Sequence, residues 1–185
     1  MKNSEFITGN VPITKEEVRA ISINKLNLKD KHTFLDIGAG TGSVSVEVAY
    51  NYPDIDVISI ECKDKAIELI NQNIEKFNLN NIKVIKGYAP IDIGKKVDSI
   101  FIGGSGPNLN EILSWAKENL NEEGALVANF IIIDTFYKTL NMLKEFGFKD
   151  IEATMLNVAK LEPLGKGEYF KPLNPIYIIS CKKGA

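Results

Sequence analysis

The sequence predicts a single α/β domain: a mainly parallel sheet flanked by helices and closed by an antiparallel C-terminal β-hairpin. Three observations carry this prediction. Strand-like runs alternate with helical patterns between residues 31 and 150. Those runs are almost continuously apolar, as strands buried on both faces must be. The last two follow one another with no helix between them, most simply an antiparallel pair. At 185 residues and 44% hydrophobic, the chain is long enough for one well-buried domain and short for two. It divides into an N-terminal helical segment (1–30), a βα core (31–150) and a terminal hairpin (151–183), with no repeat or linker.

Each element has a local reason. Thr14 with Glu17 three residues on forms a capping-box pattern that opens a helix before the first strand. The strands of the core are "TFLDI" (33–37), "DVISIE" (56–61), "IKVIKG" (82–87), "VDSIFIGG" (97–104) and "ALVANFII" (125–132). In "KDKAIELINQNIEKF", Ile67, Ile70, Ile74 and Phe77 recur at helical spacing and predict one buried stripe. Leu109, Ile112, Leu113, Ala116 and Leu120 repeat the pattern, with Asn108 and Glu111 spaced as a second capping box. A third helix runs from Asp134 to about Phe146 and stops at Gly147. The closing strands are "IEATMLNVAKL" (151–161) and "PIYIISCKK" (175–183), joined by "EPLGKGEYFKPLN".

Composition narrows the function. No apolar run approaches the roughly 20 residues of a membrane helix, and the N-terminus has no apolar stretch of signal type. Cys62 and Cys181 share no metal-type spacing, so no metal site is expected and a reduced cytoplasmic setting is the default. A net charge of −2 gives no global pull towards nucleic acid. Of the 22 basic residues only Arg19 is arginine, so it is the single guanidinium available. His32 reads as a solvated or capping residue and Trp115 as packing.

The stretch "DIGAGTG" (36–42) carries the chemistry. A dinucleotide fingerprint is G-x-G-x-x-G, whereas the spacing from Gly38 is G-x-G-x-G and Ser43 stands where the third glycine would be. The glycines also suit a plain strand-to-helix turn. Glu61 ends the second strand 19 residues after Gly42, where a carboxylate can accept hydrogen bonds from both hydroxyls of a ribose. With Asp36 leading and a hairpin closing the sheet, this resembles motif I of the class I S-adenosylmethionine-dependent methyltransferases. The resemblance implies a Rossmann-like sheet, S-adenosyl-L-methionine as cofactor, and Asp36, Gly38, Ala39, Gly40, Thr41, Gly42 and Glu61 as its contacts.

Four further stretches narrow the family: "EFITGNVPITKEEVRA" (5–20), "GYAP" (87–90), "IGGSG" (102–106) and "NPIYIIS" (174–180). In this order and spacing they resemble the decarboxylating cobalt-precorrin-6B C15-methyltransferases of cobalamin biosynthesis, over nearly the whole chain. That resemblance implies methylation of a corrin precursor at C15 with loss of carbon dioxide from its C12 acetate, in the anaerobic, cobalt-early route. It implies a homotetramer, and adds Thr14 and Ala89 to the cofactor contacts. Tyr88 departs from the family, many members of which carry an acid there.

The run Gly103, Gly104, Ser105 and Gly106 is almost bare backbone, and it reads as room for a large flat substrate or as a plain helix entry. A substrate rich in carboxylates calls for cations, for which Arg19, Lys160, Lys166 and Lys171 are the candidates; Arg19 also suits a structural ion pair. Alternatives at this point are an RNA or other small-molecule methyltransferase of the same class, a NAD-linked oxidoreductase, and a non-catalytic cofactor-binding module.

Overall fold

A computed structural model describes residues 1–184 apart from 105 and 107. In chain order the elements are α1 (Glu16–Lys25), β1 (Thr33–Ile37), α2 (Ser43–Asn51), β2 (Asp56–Glu61), α3 (Asp64–Lys76), β3 (Ile82–Lys86), β4 (Val97–Ile102), α4 (Leu109–Asn119), β5 (Leu120–Phe130), α5 (Ile133–Glu145), β6 (Lys149–Leu156), β7 (Ala159–Leu164), β8 (Gly167–Pro172) and β9 (Ile176–Lys182). A 3-10 turn, Asn3–Glu5, precedes them.

Seven strands form one sheet in the order β3-β2-β1-β4-β5-β9-β6. The first five are parallel, and β9 lies antiparallel between β5 and β6. The chain winds outward from β1 in one direction and from β4 in the other. Their carboxyl ends therefore meet at a topological switch point, where open α/β sheets bind ligands. Period-two alternation sends Leu35 and Ile37 into the core under α4 and α5, and Phe34 into the core under α1 and α2.

The core strands and the helices over 64–76, 109–119 and 133–145 lie where periodicity predicts them. Trp115 packs against the first core. Ile70 is fully buried, with Ile67, Ile74 and Phe77 half-buried beside it. The terminal antiparallel pair also forms, as β6 with β9, but the single run expected over 151–161 breaks at Asn157. Its second half becomes β7, which folds back on β8 around Gly165 (φ +61°) as a separate two-stranded sheet. A turn glycine between two short extended runs accounts for this hairpin within residues read as a connection.

Three local expectations are corrected. Lys15, not Thr14, occupies the N-cap of α1 and makes no side-chain cap. Asn108 is the N-cap of α4, again without a side-chain cap. Strand β5 begins at Leu120 rather than 125, with an irregular register against β4 and Glu123 at φ +58°. Helix α2 has no counterpart in the sequence reading. Val44, Val46 and Val48 alternate like a strand, yet every residue from Ser43 to Ala49 is buried, and burial on all sides overrides the β-branched preference.

Candidate active site

A cavity of about 830 Å³ runs along the carboxyl ends of the strands, from Glu61 (β2) past Gly38 and Gly103 to Phe130 (β5) and Ile176, which opens β9. The segment Val11–Lys15 borders it ahead of α1, and Pro172, Leu173 and Asn174 border it at the root of the β7–β8 hairpin. Sequence motifs supplied the first half of this wall. Asn129, Phe130, Leu173 and Asn174 were missed, although the strand-end rule points to such positions once the sheet order is known.

The glycine loop joins β1 to α2. Gly38, Gly40 and Gly42 all have positive φ, between 58° and 74°. A Cβ on Gly38 would lie 2.6 Å from the carbonyl oxygen of Gly104, so the loops after β1 and β4 meet backbone to backbone. A Cβ on Gly42 would lie 3.1 Å from Ile70. The backbone N–H groups of Gly38 and Ala39 both donate to the Ile60 carbonyl, at 2.9 and 3.1 Å. Thr41 is buried, and its hydroxyl has no partner among the described residues.

Glu61 holds this loop in place. Its Oε2 accepts from Gly40 N–H at 2.8 Å, and its Oε1 accepts from the N–H groups of Cys62 (2.9 Å) and Lys63 (3.0 Å). Burial opposes ionisation, but the N–H groups of Lys63, Gly40 and Cys62 outweigh it and keep the carboxyl below its ordinary range. Three backbone donors leave about one of four lone-pair positions open.

Asp36 lies beneath the loop, fully buried. Its Oδ2 accepts from Ser45 Oγ at 2.5 Å, Ser45 accepts from Ser59 Oγ at 2.7 Å, and Oδ1 has no partner among the described residues. Burial, only partly countered by the Ser45 hydrogen bonds, pushes its carboxyl up to about 7.

The remaining predicted positions divide sharply. Thr14, Ala39, Ala89, Gly103, Gly104 and Gly106 border the cavity; Ser105 lies outside the described residues. A Cβ on Gly104 would meet nothing within 4 Å. Ala89 is buried and the neighbouring Tyr88 is 73% exposed.

Arg19 is a correction. It is fully buried away from the cavity, donating to Glu47 Oε2 (2.5 Å), Asn3 Oδ1 (2.7 Å), and the carbonyls of Thr14 (2.8 Å) and Met1 (2.7 Å), and it stacks on Phe6. Its planar fork ties the N-terminus, α2 and the Thr14 loop together and leaves no face for a substrate. Lys160, Lys166 and Lys171 also lie off the cavity; Lys160 pairs with Glu17 and Glu16, and Lys171 with Glu162. The lysines that do border the cavity are Lys15 and Lys63. Among the described residues no cluster of His, Cys, Asp and Glu could hold a metal, and no helix is long and apolar enough to cross a membrane.

Comparison with known proteins agrees with this geometry. A family model described as the precorrin methyltransferase domain matches residues 5–183. The chain is 41% identical to a cobalt-precorrin-6B C(15)-methyltransferase (decarboxylating) of Salmonella typhimurium strain LT2, over 99% of this chain and 96% of that protein. Its fold matches a crystal structure of precorrin-6y C5,15-methyltransferase from Geobacter metallireducens GS-15, with a TM-score of 0.92 and 34% identity over 99% and 96% of the two chains. A second match is the structure of a precorrin 8W decarboxylase from Methanobacterium thermoautotrophicum, with a TM-score of 0.88 and 29% identity over 98% of each chain.

Proposed function

The chain belongs to the precorrin methyltransferase family, and from that premise we propose how its residues divide the work and which intermediate it acts on. It is an S-adenosylmethionine-dependent methyltransferase acting on a precorrin intermediate of cobalamin biosynthesis, a cobalt-precorrin-6B C15-methyltransferase of the decarboxylating type. Its place is the anaerobic, cobalt-early route, where the C12 acetate loses carbon dioxide.

One observation carries the division of labour: the cavity has two chemically different halves. The half at β1 and β2 pairs a glycine loop with a buried acid. The half at β4, β5 and β9 combines glycine backbone with Phe130, Ile131 and Ile176 and the uncharged amides of Asn108, Asn129 and Asn174, and Gly104 faces open space.

The first half suits a nucleoside carrying a small charged tail. Gly38, Ala39, Gly40 and Thr41 would cradle the methionine portion; Gly42 does not border the cavity, and its αL backbone instead turns the chain into α2 close against Ile70. Glu61 keeps a lone pair for the ribose. Asp36 borders the same half beneath the loop, with Oδ1 unpartnered among the described residues and its carboxyl protonated up to about 7. Thr14 and Ala89 complete the wall. When bound, S-adenosylmethionine supplies a methyl group already activated by its sulfonium.

The second half takes the tetrapyrrole. C15 of a reduced corrin precursor is an electron-rich, enamine-like carbon, and the conjugated macrocycle serves as the electron sink for carboxyl loss. The protein's task is then to align the reacting atoms and exclude water, for which proximity suffices. Gly103, Gly104 and Gly106 form the substrate side of that alignment.

The hairpin β7–β8 presents Leu161, Leu164 and Phe170, each more than half exposed, as contacts for a homotetramer. The only arginine is buried, which argues against a nucleic-acid substrate. One sheet draws strands from residues 33 to 182, which supports reading the chain as a single domain. Free Cys62 and Cys181 fit a cytoplasmic setting.

Incubation with methyl-labelled S-adenosylmethionine and cobalt-precorrin-6B tests this reading. Mass spectrometry should show a product that gains the labelled methyl and loses carbon dioxide. Label transferred to tRNA, with the corrin precursor untouched, would overturn it.

A further inference from the structure

With Arg19 locked in the core and the hairpin lysines off the cavity, the charge that meets a carboxylate-rich substrate must come from elsewhere. Among the described residues two cations border the cavity, and the sheet order separates them. Lys63 follows β2, and its backbone N–H donates to Glu61 at the cofactor end. Lys15 lies at the other end. Its Nζ reaches the carbonyl oxygen of Asn174, 2.5 Å away, immediately ahead of β9. Between the two stand the ends of β1, β4 and β5.

We propose that the Lys15 ammonium, held beside Asn174, is the anchor for a peripheral carboxylate of the tetrapyrrole on the β9 side of the cavity. The inference rests on the corrin-methyltransferase reading above. Lys15 is half-buried and borders the cavity. Its neighbours Glu16 and Glu17 pair with Lys160, so their charge is directed away from it. Its one partner among the described residues is a neutral carbonyl. An ammonium has three N–H donors, so two remain for an incoming anion without releasing Asn174. The adjacent walls, Phe130, Ile131 and Leu173, are apolar. A macrocycle laid over those side chains would displace water and strengthen a charge-assisted hydrogen bond there. A flat macrocycle over those side chains, with a carboxylate on Lys15, fixes which edge of the ring faces Gly104. Lys15 is thus a substrate-positioning residue rather than a group that moves a proton.

The test is steady-state kinetics on the full chain as wild type, Lys15→Met and Lys15→Arg, with calorimetry of S-adenosylhomocysteine binding and thermal melts on each. Lys15→Met should raise KM for the corrin precursor by about ten- to hundredfold, the scale of one hydrogen bond to a charged group. Lys15→Arg should recover most of that loss, and the wild-type KM should rise with salt. Cofactor affinity and Tm should stay level in all three. A wild type that turns over while Lys15→Met keeps its KM refutes the Lys15 assignment alone. Loss of cofactor affinity and Tm together, unrescued by arginine, would make Lys15 a structural strap to Asn174 and also refute it. A wild type that methylates no corrin precursor brings down the functional reading and this inference with it.

Discussion

Replacing Gly38 with alanine probes the point where the cofactor loop and the substrate loop touch. Two costs follow from its position. Its φ of +71° is a left-handed conformation, which costs a residue with a Cβ about 1–2 kcal/mol. The new methyl would lie 2.6 Å from the Gly104 oxygen, 2.9 Å from its nitrogen and 3.0 Å from its Cα. All three are backbone atoms that no rotamer change can move, and overpacking of this kind adds about 1–3 kcal/mol. The sum is about 2–5 kcal/mol. For a chain of this length it lowers Tm by roughly 10 °C, at about 2–4 °C per kcal/mol. Gly94 is the matched control: its φ is +73°, and a Cβ there would meet nothing within 4 Å. Gly94→Ala should therefore show the conformational cost alone, a fall of about 2–8 °C. Thermal melts of both variants, with calorimetry of S-adenosylhomocysteine, separate the two costs. Gly38→Ala should also bind the cofactor product at least tenfold more weakly, on the order of 1.4 kcal/mol. If the two variants melt alike and both bind normally, the contact between the loops is soft and the reasoning fails.

Three other outcomes follow from the same site. Glu61→Ala should weaken S-adenosylhomocysteine binding by about 1–3 kcal/mol in calorimetry, through lost ribose contacts and release of the Gly40 N–H; an unchanged affinity would leave Glu61 as a loop support only. Asp36 keeps its proton in the folded state up to about 7, whereas an unfolded aspartate releases it near 3.8, so its contribution to stability declines as pH rises through that window. Asp36→Asn cannot ionise, so its melting temperature should gain on that of the wild type between those limits; parallel melting curves would show that Asp36 does not titrate there. Arg19→Met should cost about 3 kcal/mol by stranding Glu47 with only the N-terminal ammonium, a loss read from denaturant unfolding, while KM for the corrin precursor stays level in the protein that remains folded. A raised KM at unchanged stability would return Arg19 to the substrate site.

The residues themselves determined the alternation of β and α, the glycine loop and the acid at the end of β2. Each of these depends on neighbours a few positions away: an apolar period, a turn that needs positive φ, a strand end. Periodicity likewise placed α3, α4 and α5 and paired the closing strands, and the family resemblance rested on short ordered motifs of the same local kind. Only the tertiary structure decided which groups meet across the chain. Arg19 reads in sequence as a solitary guanidinium suited to a substrate or to an ion pair, and the fold decides it by burying Glu47, 28 residues on, beside it. The valine alternation at 44, 46 and 48 carries no helical period, and only packing against β1 and β2 makes that stretch a helix. Lys15 reads as one lysine among many, and becomes distinctive only because Asn174, 159 residues away, brings the far wall of the cavity to it. Burial and long-range hydrogen bonds are properties of the assembled chain, and local spacing carries no record of them.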